Sequence, residues 1–198
     1  MTRSNFNILT YKKALDFSYN YYRARYRKGL KIPYFTYLSS VSNLVIENNG
    51  STEEAIAGLF HDILEDKNSS KRINIIKLKF GNKVLNIVKQ CSNPPNLKKE
   101  NFSWIEGKKK FLESMSKKSQ SSLLVCICDK FHSLNCLISD YNKIGKKVWK
   151  NYDIEPNEAY WYYKSLCQNF KKSLKNHKIL KDSFQRRVNE LKYFCSAK

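Results

Sequence analysis

The chain has 198 residues, with 37 Lys and Arg against 17 Asp and Glu, a formal net charge of +20. A hydrophobic share of 41% with 14% aromatics excludes general disorder, and 6 Gly and 4 Pro exclude a collagen-like or low-complexity chain. One domain over residues 1–198 is expected, large enough to fold without disulfides or a structural metal, and the charge suggests an anionic partner: nucleic acid, phosphorylated metabolite or membrane surface.

Helical signals dominate in chain order. Leu9–Arg27 carries Ala14, Phe17 and Tyr21 at helical spacing, and Arg27-Lys28-Gly29 predicts its end, since glycine suits a left-handed cap. Pro33 opens a helix over about Tyr34–Glu47, and Asn48-Asn49-Gly50 is a turn. Ser51-Thr52-Glu53-Glu54 is a capping box whose helix is expected to reach about Glu65. Residues 67–70 form a turn. A short helix to Phe80, a break at Gly81 and a helix over Lys83–Cys91 follow. Asn93-Pro94-Pro95-Asn96 is a loop, and Ser103-Trp104-Ile105-Glu106 is a second capping box for a helix to about Ser116. Ser121–Asn142 predicts a long buried helix, Pro156 opens an aromatic-rich helix to about Leu174, and a last helix covers about Leu180–Phe194. No run alternates with period two, so the expected fold class is all-α, with about eight helices.

The six cysteines form no CxxC pair, and three histidines give no zinc-finger spacing, so reduced, buried thiols are expected. Residues 1–15 show no signal-peptide pattern, and no stretch approaches about 18 consecutive apolar residues. A cytoplasmic protein without a membrane span is the expectation.

Acid is scarce but clustered in His61-Asp62-Ile63-Leu64-Glu65-Asp66. On a helix, His61/Glu65 and Asp62/Asp66 would share one face. Grouped carboxylates are costly unless a cation or proton is shared among them, and a His/Asp donor set suits Mn²⁺, Fe²⁺ or Zn²⁺. The competing reading is a solvated acidic helix end, which the helix dipole disfavours. Asp129 follows the apolar run 123–128 and is expensive to bury unless metal-bound or paired with a lysine; periodicity leaves both open.

These residues lead to a family. Arg27-Lys28-Gly29 with Ile32-Pro33-Tyr34, the stretch AIAGLFHDILED (55–66), Phe80-Gly81-Asn82-Lys83-Val84 and CDKFH (128–132) resemble, in order, the motifs of HD-domain phosphohydrolases. Within them the chain is similar to the RelA/SpoT-type hydrolase domain and its small stand-alone relatives, which remove the 3′-pyrophosphate from (p)ppGpp. The resemblance covers about residues 10–175, with 176–198 as a C-terminal helix. It implies an all-α HD-domain helical bundle and a Mn²⁺-like ion. By resemblance, the ligand positions are Tyr37, His61, Asp62 and Asp129, and Glu65 and Asp66 position and activate the attacking water. Arg27 and Lys28 match basic residues lining the nucleotide site; Arg25, Lys130 and Ser133 extend that lining. Two positions depart from the pattern: Tyr37 stands where the family has its first ligand His, and Ser133 where it has Asn.

Three functions remain in view. The first is a metal-dependent pyrophosphohydrolase acting on a small phosphorylated nucleotide. The second is a degenerate relative that binds nucleotide without turnover, suggested by Tyr37 and Ser133. The third is a nucleic-acid-binding protein, suggested only by charge. The third is disfavoured, because the lysines are scattered and an AT-rich coding bias would also raise Lys, Asn and Ile. The sequence leaves the oligomeric state open.

Overall fold

The computed structural model describes residues 6–28, 31–65, 69–92 and 103–196. Among these are nine α-helices and no strand beyond one isolated bridge, Tyr26–Pro33. They are α1 (Ile8–Tyr22), α2 (Tyr34–Glu47), α3 (Thr52–Phe60), α4 (Ser69–Cys91), α5 (Trp104–Ser114), α6 (Gln120–Ile144), α7 (Lys147–Tyr152), α8 (Pro156–Ser173) and α9 (Lys178–Ser196). The all-α expectation holds. The short α7 was not anticipated from the sequence.

Both capping boxes form: Ser51 with Glu54, and Ser103 with Glu106, each side chain meeting the other's backbone N–H. Gly81 breaks α4 as expected, with φ 85° and ψ 170° inside an otherwise helical run. The end of α1 differs. The helix stops at Tyr22, and the chain folds back through Arg27 N–H to Ile32 O (2.9 Å) and Tyr34 N–H to Arg25 O (2.8 Å). Gly29 lies outside the described residues.

α6 is the central helix and packs against α2, α3, α4, α7, α8 and α9. Its residues 122–129 are all buried, so it is apolar around its circumference. It alone among the described residues is long and apolar enough to cross a membrane by length and composition, and 61% of its most apolar window is buried inside the protein. All six cysteines are free.

α2 and α3 approach closely at Gly58, where a Cβ would meet Ser42 Cα at 3.1 Å. The contact is also polar. Ser42 Oγ donates to Ala55 O (2.8 Å) and shares a hydrogen bond with the Tyr11 hydroxyl (2.8 Å).

Candidate active site

The sequence places His61–Asp66 on a helix, and the structure corrects this. α3 ends at Phe60, and residues 61–65 turn through Ile63 N–H to Phe60 O (2.9 Å) and Glu65 N–H to Asp62 O (3.1 Å). Side chains bond to the carbonyls around this end: His61 Nδ1 to Gly58 O (2.8 Å), Ser18 Oγ to Leu59 O (3.3 Å) and Ser92 Oγ to His61 O (2.8 Å). His61 and Glu65 therefore do not share a face of a helix.

The turn brings together a different set. Gly58 O can only accept, so Nδ1 carries the hydrogen and Nε2 faces the opposite way. His61 is 3% exposed, and its Nε2 lies 3.3 Å from Asp62 Oδ2 and 3.3 Å from Asp129 Oδ1. It nonetheless makes no well-directed hydrogen bond to either and is an orphaned buried atom. Donors held at about 2.1 Å from one ion stand roughly 3.0 Å apart at right angles and 3.4 Å apart at the tetrahedral angle. The measured spacing falls between.

Among the described residues, no three His, Cys, Asp or Glu side chains are placed as a group that could hold a metal ion. Tyr37 OH donates to Asp129 Oδ1, and Tyr34 OH donates to Asp62 Oδ2, the same oxygens that approach His61. Each carboxylate oxygen has two lone pairs, so a hydroxyl leaves one for a cation. The donor chemistry of His61, Asp62 and Asp129 thus fits a divalent ion, with the tyrosine hydroxyls drawing on the same oxygens.

Electrostatics agree with that reading. Burial alone would lower the His61 pKa, but Asp62 and Asp129 outweigh it and hold the imidazole well above its usual value. An ion bound through Nε2 would have to displace that proton, because a ligating imidazole is neutral. Burial would raise Asp129, yet the Lys130 ammonium and His61 hold it well below the carboxylate range. Lys130 Nζ donates to Asp129 Oδ2 at 2.5 Å. Tyr37 is pushed well above 10 by burial and by Asp129, which keeps its phenol neutral.

The other expected residues are spread more widely. Arg27 lies with its guanidinium carbon 4.0 Å from the Tyr37 ring centroid, stacked over the site. Arg25 is exposed and rests on the rings of Tyr21 and Tyr22 at 4.9 and 5.3 Å. Lys28 is exposed, Glu65 is half-buried, and Ser133 accepts a hydrogen bond from Tyr163 OH (3.2 Å). Asp66 lies outside the described residues. Two residues near the site were not singled out from the sequence. Tyr34 was read only as part of a motif. Lys108 is one of the many scattered lysines, although its i,i+4 spacing from Trp104 signals an ammonium lying over an indole ring.

The HD domain family model matches residues 14–151. The guanosine-3′,5′-bis(diphosphate) 3′-pyrophosphohydrolase MESH1 of Xenopus tropicalis is 30% identical over 128 residues, which are 63% of this chain and 68% of that protein. The fold is similar to that of a metazoan ortholog of SpoT described as hydrolysing ppGpp, with TM-score 0.75 and 17% identity over 94% of this chain and 98% of that one. It is also similar to a Listeria monocytogenes EGD-e protein, with TM-score 0.66 and 19% identity over 81% of this chain and 99% of that one. The buried His-Asp turn facing Asp129, and a family model that spans most of the chain, give one conclusion: the chain belongs to the HD domain family.

Proposed function

We propose that this chain is a metal-dependent phosphohydrolase that removes the 3′-pyrophosphate from (p)ppGpp in the cytoplasm. The observation that carries the reading is His61 Nε2, orphaned and buried between Asp62 and Asp129, with its other nitrogen tied to Gly58 O. The similarity to MESH1 supplies the substrate class.

His61, Asp62 and Asp129 would hold the ion, Mn²⁺ before Fe²⁺ or Zn²⁺. When bound, it supplies a water of lowered pKa and positive charge for the phosphoryl oxygens. Tyr37 holds Asp129 by its hydrogen bond and does not itself donate a lone pair as a neutral phenol. Glu65, with Asp66, orients the attacking water and accepts its proton. That water attacks the phosphorus bonded to the 3′ oxygen, the P–O3′ bond breaks, and the 3′ oxygen leaves with a proton. Guanosine 5′-diphosphate, or the triphosphate from pppGpp, and pyrophosphate result. Arg27, Lys28 and Lys130 offset the negative charge that develops, while Arg25 and Ser133 border the nucleotide.

The test is pyrophosphate release from ppGpp by purified protein with added Mn²⁺, beside Asp62→Ala and Tyr37→His. Release that Asp62→Ala abolishes and Tyr37→His increases supports the reading. Binding of ppGpp without release, in the natural chain and in Tyr37→His, would replace it with nucleotide binding without turnover.

A further inference from the structure

Lys108 stands on α5 in an unusual setting. Its ammonium lies 4.8 Å from the ring centroid of Tyr162 on α8 and 5.3 Å from that of Trp104. Those two rings meet edge to face at 5.6 Å, so they form one aromatic shelf. Among the described residues Lys108 has no ion-pair partner; its contacts are ring faces.

Phe111, one turn further along α5, has its ring centroid 5.2 Å from the Lys130 ammonium, so Lys108 and Phe111 turn one face of α5 toward Lys130, the ion-pair partner of Asp129. Tyr162 also feels the charge of Lys130, so this ring lies within reach of both ammonium groups. The two lysines differ in one respect. Lys130 is paired with Asp129, whereas Lys108 has given up water without gaining a carboxylate. Burial and the repulsion of Lys130 lower the Lys108 pKa to about 8. Two ammonium groups brought near each other in a partly dry wall favour a ligand that carries more than one negative charge.

The geometry points to Lys108 as a further substrate-binding residue, which holds the distal phosphate of the pyrophosphoryl group across the site from Asp129. This inference rests on the proposed reaction for its ligand, but its binding test does not need turnover. The aromatic shelf supports the role. Trp104 and Tyr162 keep the lysine stem extended and exclude water from one side of the ammonium, which strengthens its pull on an anion.

The experiment measures pyrophosphate binding by calorimetry to the natural chain, Lys108→Met, Lys108→Arg and Lys109→Met. Lys109 is the exposed neighbour on the same helix and controls for generic positive charge. Lys108→Met is expected to weaken binding about tenfold to a hundredfold, the scale of one lost charged hydrogen bond. Lys108→Arg is expected to stay within about threefold, and Lys109→Met to match the natural chain. Equal weakening in Lys108→Met and Lys109→Met, or none in Lys108→Met, overturns the inference. With ppGpp as substrate, Lys108→Met is expected to raise KM more than it lowers kcat. Hydrolysis unaffected by Lys108→Met sinks this inference alone. Pyrophosphate binding that depends on Lys108, in a protein that never cleaves ppGpp, sinks the proposed reaction alone.

Discussion

The region around α1, α2 and α3 and the α8–α9 pair differ in what dominates their cohesion. In the first, buried polar groups tie helix to helix: Tyr11 to Ser42, Ser42 to Ala55 O, Ser18 to Leu59 O, and Ser92 to His61 O. In the second, Phe170, Phe184, Leu180, Val188 and Leu191 are buried and join by area. Apolar burial is non-directional, whereas a hydrogen bond fixes distance and angle. The region that positions the proposed donor atoms uses directional bonds, and the region that closes the bundle uses bulk.

The comparison can be broken by four substitutions of decreasing effect. Asp62→Ala removes a donor from the ion site, and phosphohydrolase activity is expected to fall by about 1000-fold or more, while far-UV circular dichroism stays unchanged. Phe184→Ala empties a fully buried position that contacts Phe131, Tyr163 and Phe170. It should cost about 3–5 kcal/mol in urea unfolding and leave turnover per folded molecule within a few fold. A turnover loss rivalling that of Asp62→Ala would mean that the two regions are not separable. Ser42→Ala strips partners from Tyr11 and Ala55 O, and should cost about 1–3 kcal/mol. Because it acts at the helix pair that carries His61, Mn²⁺ affinity by calorimetry should drop with stability. Ser103→Ala removes one exposed cap of α5 and should cost about 1 kcal/mol or less by thermal unfolding, with Mn²⁺ affinity unchanged.

The sequence made most of the helices readable because their ends are written locally. Ser51 with Glu54, Ser103 with Glu106, and Gly81 each act within a few residues. Around the end of α3 the partners are not local: Ser18 and Ser92 lie 41 and 31 residues from the carbonyls they bind, and no periodicity encodes such partners. The site shows the same division. His61 and Asp62 were conspicuous as acid in a basic chain, and Asp129 as a charge after an apolar run. The hydroxyls of Tyr34 and Tyr37 became visible as partners of Asp62 and Asp129 only when α2 was laid against α6 and the His-Asp turn. Lys108 was hidden by abundance: one lysine among many differs only in what surrounds it.

Gly58 has a consequence for how mutations in this protein would sort. Its missing side chain sets the clearance between α2 and α3, and its carbonyl orients His61. An added methyl group would press on the Ser42 backbone, and the same shift would carry the imidazole with it. Position 58 is therefore a mechanical tolerance of the bundle expressed as a chemical trait. In a screen for lost activity, changes there would be scored beside those at the proposed metal ligands, although glycine contributes no reacting atom.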